Sequence, residues 1–243
     1  MKKRNIVMVK VVVFDLGGTL MQYMGMPYSW VSFYRQGVRE IKQKYGCNVP
    51  EEAVEKTVQM LESFNPRVHY REKEYTAESI FTKAMEHWHM DVRHMDVRHM
   101  DVPIEDCVET FWSSLNLKAE IYPDTIPVLS SLREQGYTIA ALTDLPSAMP
   151  DRIFKRDISE LLEYFDYYVS SAVSGYRKPA GKGLQMIAEK YEVPIAELIL
   201  IGDEEKDRLT AENAGCRFIP VRRLGDTGDG IKDLYELPTL LHK

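Results

Sequence analysis

The sequence predicts an α/β fold, a doubly wound parallel sheet with an inserted all-helical domain, and three observations lead there. Several short apolar runs are rich in β-branched residues and nearly continuous, as in strands covered on both faces. Amphipathic stretches separate them, so that strand and helix alternate. Residues 21–120 break that alternation with helical periodicity alone, which predicts an α/β core from 1–20 and 121–243 and a helical cap between.

Taken in order, Val7 to Phe14 reads as the first strand and ends at Asp15. In the inserted block, "SWVSFYRQGVREIKQKYG" (29–46) spaces Trp30, Phe33, Val38 and Ile41 along one side, and "PEEAVEKTVQMLESF" (50–64) and "TAESIFTKAMEHWHM" (76–90) repeat the pattern. Beyond it come "GYTIAALTD" (136–144), the weaker "FDYYVSS" (165–171), "ELILIGDE" (197–204) and "CRFIPV" (216–221) as strands. The helices between them are "TIPVLSSLREQ", "AGKGLQMIAEKY" and "EKDRLTAENAG", and "IKDLYELPTLL" reads as a terminal helix. The repeat "HMDVRHMDVRHMDV" (89–102) has a period of five, which turns about 140° per step on a helix and so lines up no single face. It is read as a tolerated duplication without chemistry.

Composition limits the functional classes. A chain of 243 residues with 44% hydrophobic and 28% charged residues suits a globular protein of one domain, with or without an insertion. A formal charge of −6 and no basic run beyond "MKKR" argue against a nucleic-acid partner. No stretch approaches the roughly 20 apolar residues of a membrane span. The start lacks the small-residue cleavage site of a signal peptide. Three scattered cysteines, Cys47, Cys107 and Cys216, suggest neither a disulfide framework nor a metal knuckle, and the expected compartment is the cytoplasm.

Ligands of open parallel sheets bind beyond the carboxyl ends of the strands. Those ends carry Asp15, Thr143, Lys178 and Asp203, a set in which one carboxylate can attack, a hydroxyl and an ammonium can hold an anion, and two carboxylates can share a divalent cation. Taken singly, each has an ordinary structural reading as a turn, helix-cap or surface residue, and "GDEEKD" also reads as a helix start.

In order, "FDLGGTL", "ALTD", "SGYRKP" and "LIGDEEKD" resemble the four motifs of the haloacid dehalogenase (HAD) superfamily, most of whose members are Mg-dependent phosphohydrolases. The resemblance implies an HAD-like Rossmannoid core and a small phosphorylated metabolite as substrate. It implies that Asp15 is the nucleophile, forming an aspartyl-phosphate, and that Lys178 is catalytic and holds the phosphate. Gly18, Thr143 and Asp144 would bind phosphoryl oxygens. Mg²⁺ would be held by Asp15, the carbonyl of Gly17, Asp203 and Asp207, with Glu204 as an alternative to Asp207.

The sequence departs from the family at Gly17, where a second aspartate normally protonates the leaving group. Three readings stay open: a phosphohydrolase for esters with good leaving groups, a dehalogenase- or phosphonatase-type hydrolase, and a phosphate-binding regulatory protein without turnover. Tyr23 and Met24 read either as pocket lining or as hinge packing; Trp30, Phe33 and Trp88 read as core, and His87 as an ordinary residue of the inserted block.

Overall fold

The structure, a computed structural model, describes residues 9–25, 30–89, 102–223 and 229–241. The first strand, β1 (Val11–Phe14), is shorter than the sequence predicts, and Val7 lies outside the described residues. All four of its side chains are at most 1% exposed, as expected for a β-branched strand with both faces covered.

After β1 the chain forms β2 (Met21–Tyr23), which pairs antiparallel with β3 (Ala119–Ile121). The sequence predicts no strand in this block; three residues are too few for a period-two pattern to register. Between these strands run α1 (Val31–Lys44), α2 (Glu51–Ser63), α3 (Ala77–Ala84) and α4 (Ile104–Ser114), with a 3₁₀ turn at Glu86–His89. The first three helices fall where the periodicity placed them, and α4 adds a fourth whose Cys107, Val108, Phe111 and Trp112 are buried. The repeat lies, apart from its end residues 89 and 102, outside the described residues.

The remainder alternates as α5 (Thr125–Glu134), β4 (Thr138–Thr143), α6 (Asp151–Asp157), α7 (Ser159–Leu162), β5 (Tyr167–Ser170), α8 (Ser171–Ser174), α9 (Lys182–Tyr191), β6 (Leu198–Gly202), α10 (Glu205–Ala214), β7 (Arg217–Pro220) and α11 (Leu237–Leu241). The five-stranded sheet has the order β5-β4-β1-β6-β7 and is parallel throughout. In β1, Val11 and Val13 point into the cluster beneath α9 and α10, which includes Leu184, Ile187 and Ala211. Val12 and Phe14 point the other way, into a larger cluster continuous with the buried faces of α1 to α4.

This order positions the site. β1 is flanked by β4 and β6, and Phe14 is in register with Ala141 and Ile201. The carboxyl ends of three strands therefore converge on one edge, at the point where the chain switches sides of β1.

Candidate active site

Asp15 continues β1 by one residue, its N–H donating to the Ile201 carbonyl at 2.8 Å. The chain then turns back on itself, with the N–H of Met21 reaching the carbonyl of Leu16 and the N–H of Gly18 reaching that of Met21. Gly18 has a φ of +80°, and a Cβ there would lie 2.2 Å from Asp203 Oδ2. Glycine thus meets two demands at once, a left-handed backbone and close approach of two loops. Gly17 is different: a Cβ on it would meet nothing within 4 Å.

Lys178 joins the strand ends. Its ammonium donates to Asp15 Oδ1 at 2.7 Å and also to Asp207 Oδ1. Asp203 follows β6 and accepts a hydrogen bond from Thr19 Oγ1 at 2.9 Å. Asp207 caps α10, accepting from the Glu204 N–H at 3.0 Å with its second oxygen. The helix-start reading of "GDEEKD" holds, and the side chain that closes the capping box also faces the lysine. Thr143 ends β4, buried at the same edge. Asp144 turns its carboxylate inward, accepting from the backbone N–H of Lys178 at 3.0 Å with Lys206 Nζ at 3.5 Å.

The electrostatics follow from this crowding. Burial raises the Asp15 carboxyl well above the usual carboxylate range, against the pull of Lys178 and with the push of Asp207 and Asp203. Burial, then Asp207, push Asp203 up to about 6. Burial alone would favour a neutral Lys178, but Asp15 and Asp207 outweigh it and hold the ammonium well above its ordinary value. Asp144 lies below its ordinary value, because Arg177, Lys206 and Lys178 outweigh its burial.

Asp15, Asp203 and Asp207 each offer an oxygen within 4.8 Å of the others. Three carboxylates crowded this closely are a donor set suited to a hard divalent cation, whose charge would offset their mutual repulsion. Glu204 stands apart from the trio: its carboxylate pairs with Arg67 at 2.6 Å and Lys206 at 3.3 Å.

All of Asp15, Gly17, Gly18, Thr143, Asp144, Lys178 and Asp203 border one cavity of about 800 Å³, while Asp207 is fully buried and not among its lining residues. Tyr23 and Trp30 line the same cavity, so Trp30 is more than a core residue. Met24 is 48% exposed and is not among the lining residues. Trp88 donates to Thr57 Oγ1 at 2.7 Å, and His87 Nε2 sits 2.7 Å from the Ala53 carbonyl, both packing α2.

Sequence reasoning missed the residues that hold this arrangement from outside. Arg177 reaches the Leu145 carbonyl at 2.9 Å and pairs with Glu74, from the segment between α2 and α3. Arg223 donates to the Thr19 carbonyl at 3.1 Å through Nε and to Asp124 at 2.6 Å. Arg177 lies inside "SGYRKP" and was within reach of inspection; nothing in the sequence marks Glu74 or Arg223.

Among the described residues no helix is long and apolar enough to cross a membrane. In comparisons with known proteins, the family described as haloacid dehalogenase-like hydrolase matches residues 9–215. A phosphoglycolate phosphatase of Vibrio parahaemolyticus is 30% identical over 98 residues, 40% of this chain and 42% of that protein. The chain thus spans about two fifths of the length of the curated relatives it matches. Among solved structures, a 2-haloacid dehalogenase from Pseudomonas syringae superposes with a TM-score of 0.68 at 21% identity, over 97% of this chain and 99% of that one. A HAD phosphatase from Thermococcus onnurineus gives 0.60 at 24% identity, over 96% and 98%. At these identities the superpositions establish the fold, and the family match adds the lineage: the chain belongs to the haloacid dehalogenase-like hydrolases.

Proposed function

We propose that this protein is a Mg²⁺-dependent phosphohydrolase that acts through an aspartyl-phosphate on a small phosphate ester with a good leaving group. The observation that carries this reading is the buried contact of Lys178 Nζ with Asp15 Oδ1, 2.7 Å, beside a trio of carboxylates. A carboxylate so placed faces both an anion site and a cation site. The relatives named phosphoglycolate phosphatase support a phosphomonoester as substrate class.

In the first step an Asp15 oxygen bonds to phosphorus in line as the bond to the ester oxygen breaks and the leaving group departs with its electron pair. The Thr143 hydroxyl and the Asp144 N–H hold phosphoryl oxygens, and Lys178 offsets their charge and steadies Asp15. Water then attacks phosphorus, the Asp15–phosphorus bond breaks, and inorganic phosphate leaves. Asp15, Asp203, Asp207 and the Gly17 carbonyl would hold Mg²⁺, which supplies Lewis-acid stabilisation of the phosphoryl charge.

No side chain at position 17 protonates the leaving group, help that is typically worth about 10²- to 10⁴-fold. Esters whose leaving group needs little protonation are therefore the favoured substrates. The segment from 21 to 120 acts as a helical cap over a core of 1–20 and 121–243, closing the cavity from the side of Arg67 and Trp30. Cys47, Cys107 and Cys216 form no disulfide, in keeping with a cytoplasmic protein.

The test is steady-state hydrolysis, with and without Mg²⁺, across phosphate esters graded by leaving-group pKa. Metal-dependent turnover confined to good leaving groups, and abolished in Asp15→Asn with the fold retained, is expected. Undiminished metal-dependent activity in Asp15→Asn would refute the nucleophile, and inertness on every ester would leave the pocket as a binding site.

A further inference from the structure

We propose that the substrate is the phosphate monoester of an aromatic alcohol, its ring seated against Tyr23, Trp30 and Phe154; this rests on the phosphohydrolase reading of the same site. Three independent features converge on it: the shape of the cavity wall, its charge balance and the empty space at Gly17.

The wall is aromatic and fixed. Tyr23 and Trp30 meet edge to face with ring centroids 5.4 Å apart and planes at 84°, and Tyr23 and Phe154 do so at 6.4 Å and 66°. Trp30 in turn packs on Trp112 at 5.7 Å. The Tyr23 hydroxyl donates to Asp157 Oδ2 at 3.0 Å, which turns its polar tip toward α6. All three rings border the cavity that holds Asp15 and Lys178, and such edge-to-face sets accept a further ring in the same manner. A volume of about 800 Å³ lies in the range of sites that enclose a ring system. A two-carbon leaving group would leave most of it to water.

Each cation at the cavity has a carboxylate partner, although Arg71 Nη2 is buried without a hydrogen bond to the described residues. Arg67 pairs with Glu204 at 2.6 Å, Arg71 with Glu74 at 2.7 Å, and Arg177 with Glu74. Lys206 pairs with Glu204 at 3.3 Å and Lys178 with Asp15 at 2.7 Å. A second carboxylate or phosphate on the leaving group would have to compete for these cations with Glu74, which serves Arg71 and Arg177, and with Glu204, which serves Arg67 and Lys206. An uncharged leaving group disturbs none of them.

The chemistry agrees. A phenol loses its proton near pKa 10, as tyrosine does, so a phenolate departs without the protonation that Gly17 cannot supply. In the reaction the phosphorus–oxygen bond breaks, the phenolate leaves with the electron pair and takes its proton from solvent, and the ring keeps its contacts throughout.

The experiment reads binding without turnover. Phenylphosphonate and methylphosphonate are titrated calorimetrically into the Mg²⁺-loaded full chain, for wild type, Trp30→Leu and Tyr23→Leu. Wild type is expected to bind phenylphosphonate at least about tenfold more tightly than methylphosphonate, and each variant to narrow that ratio severalfold. Equal affinities in wild type, failure of wild type to bind phenylphosphonate, or a ratio that survives in both variants overturns the proposal. Because methylphosphonate carries the same phosphonate group, a folding defect that weakens both ligands alike leaves the wild-type ratio as the deciding measurement. Hydrolysis is scored separately: a ring preference without turnover of phenyl phosphate defeats the phosphohydrolase reading alone, and turnover without a ring preference defeats this inference alone.

Discussion

Glu74 and Arg177 form an ion pair in which both side chains are 6% exposed. Glu74 lies between α2 and α3, and Arg177 immediately precedes Lys178. Around them, Ser171 Oγ donates to Glu74 at 2.6 Å, the Glu74 N–H donates to the Gly175 carbonyl, and the Arg177 N–H donates to the Glu72 carbonyl. The segment between α2 and α3 is thereby stitched to the loop that carries the lysine. Breaking a buried pair costs up to about 3–5 kcal/mol, although Glu74 keeps Arg71 at 2.7 Å and Arg177 keeps Asp144 at 3.9 Å when the other is removed. Glu74→Ala and Arg177→Met are each expected to destabilise the protein on that scale in urea unfolding. The double variant is expected to fall well short of their sum; strict additivity would show that the two residues act independently.

A Cβ at Gly17 would meet nothing within 4 Å, so the backbone there accepts a side chain. Gly17→Asp is expected to keep the melting temperature within a few degrees and to raise turnover of alkyl phosphates by about 10²- to 10⁴-fold relative to aryl phosphates. An unchanged ratio between the two ester classes would show that leaving-group protonation does not limit this enzyme.

Gly18 presents the opposite case. Alanine there needs a left-handed backbone, a cost of about 1–2 kcal/mol, and its methyl collides with the Asp203 carboxylate. Gly18→Ala is expected to lower stability by roughly that amount and turnover by two orders of magnitude or more, with the Mg²⁺ concentration for half-activity raised. A loss of stability with unaltered Mg²⁺ dependence would mean that Asp203 is not a metal ligand.

Metal binding is expected to be visible in stability. Asp203 is pushed up to about 6 by burial and by Asp207. For a carboxyl raised above its unfolded value, the favourable contribution is present below about pH 4 and is lost as pH climbs through the folded value near 6. Mg²⁺ reverses that loss, so the rise in melting temperature on adding it should grow from pH 5 to pH 7 and disappear with EDTA. A rise independent of pH, or none, would count against the carboxylate trio as the site.

Much of this protein was legible in its sequence because the relevant signals are local. Four residues of β1 are buried on both faces, so the run of valines had to be a strand, and an aspartate directly after it had to emerge at the sheet edge. The same logic placed Thr143 and Asp203, and the motif order tied them to Lys178. The short β2–β3 pair escaped, since three residues carry no period.

What only the tertiary structure decided is which side chains hold the site from a distance. Glu74 meets Arg177 across 103 residues and Arg223 meets Thr19 across 204, and no local pattern encodes such pairs. The open space at Gly17, the collision at Gly18, the pairing of every cavity cation named above and the aromatic wall of Tyr23, Trp30 and Phe154 belong to the same class. They depend on the distance between elements once packed, whereas the strand ends depend only on how a chain alternates between water and the interior.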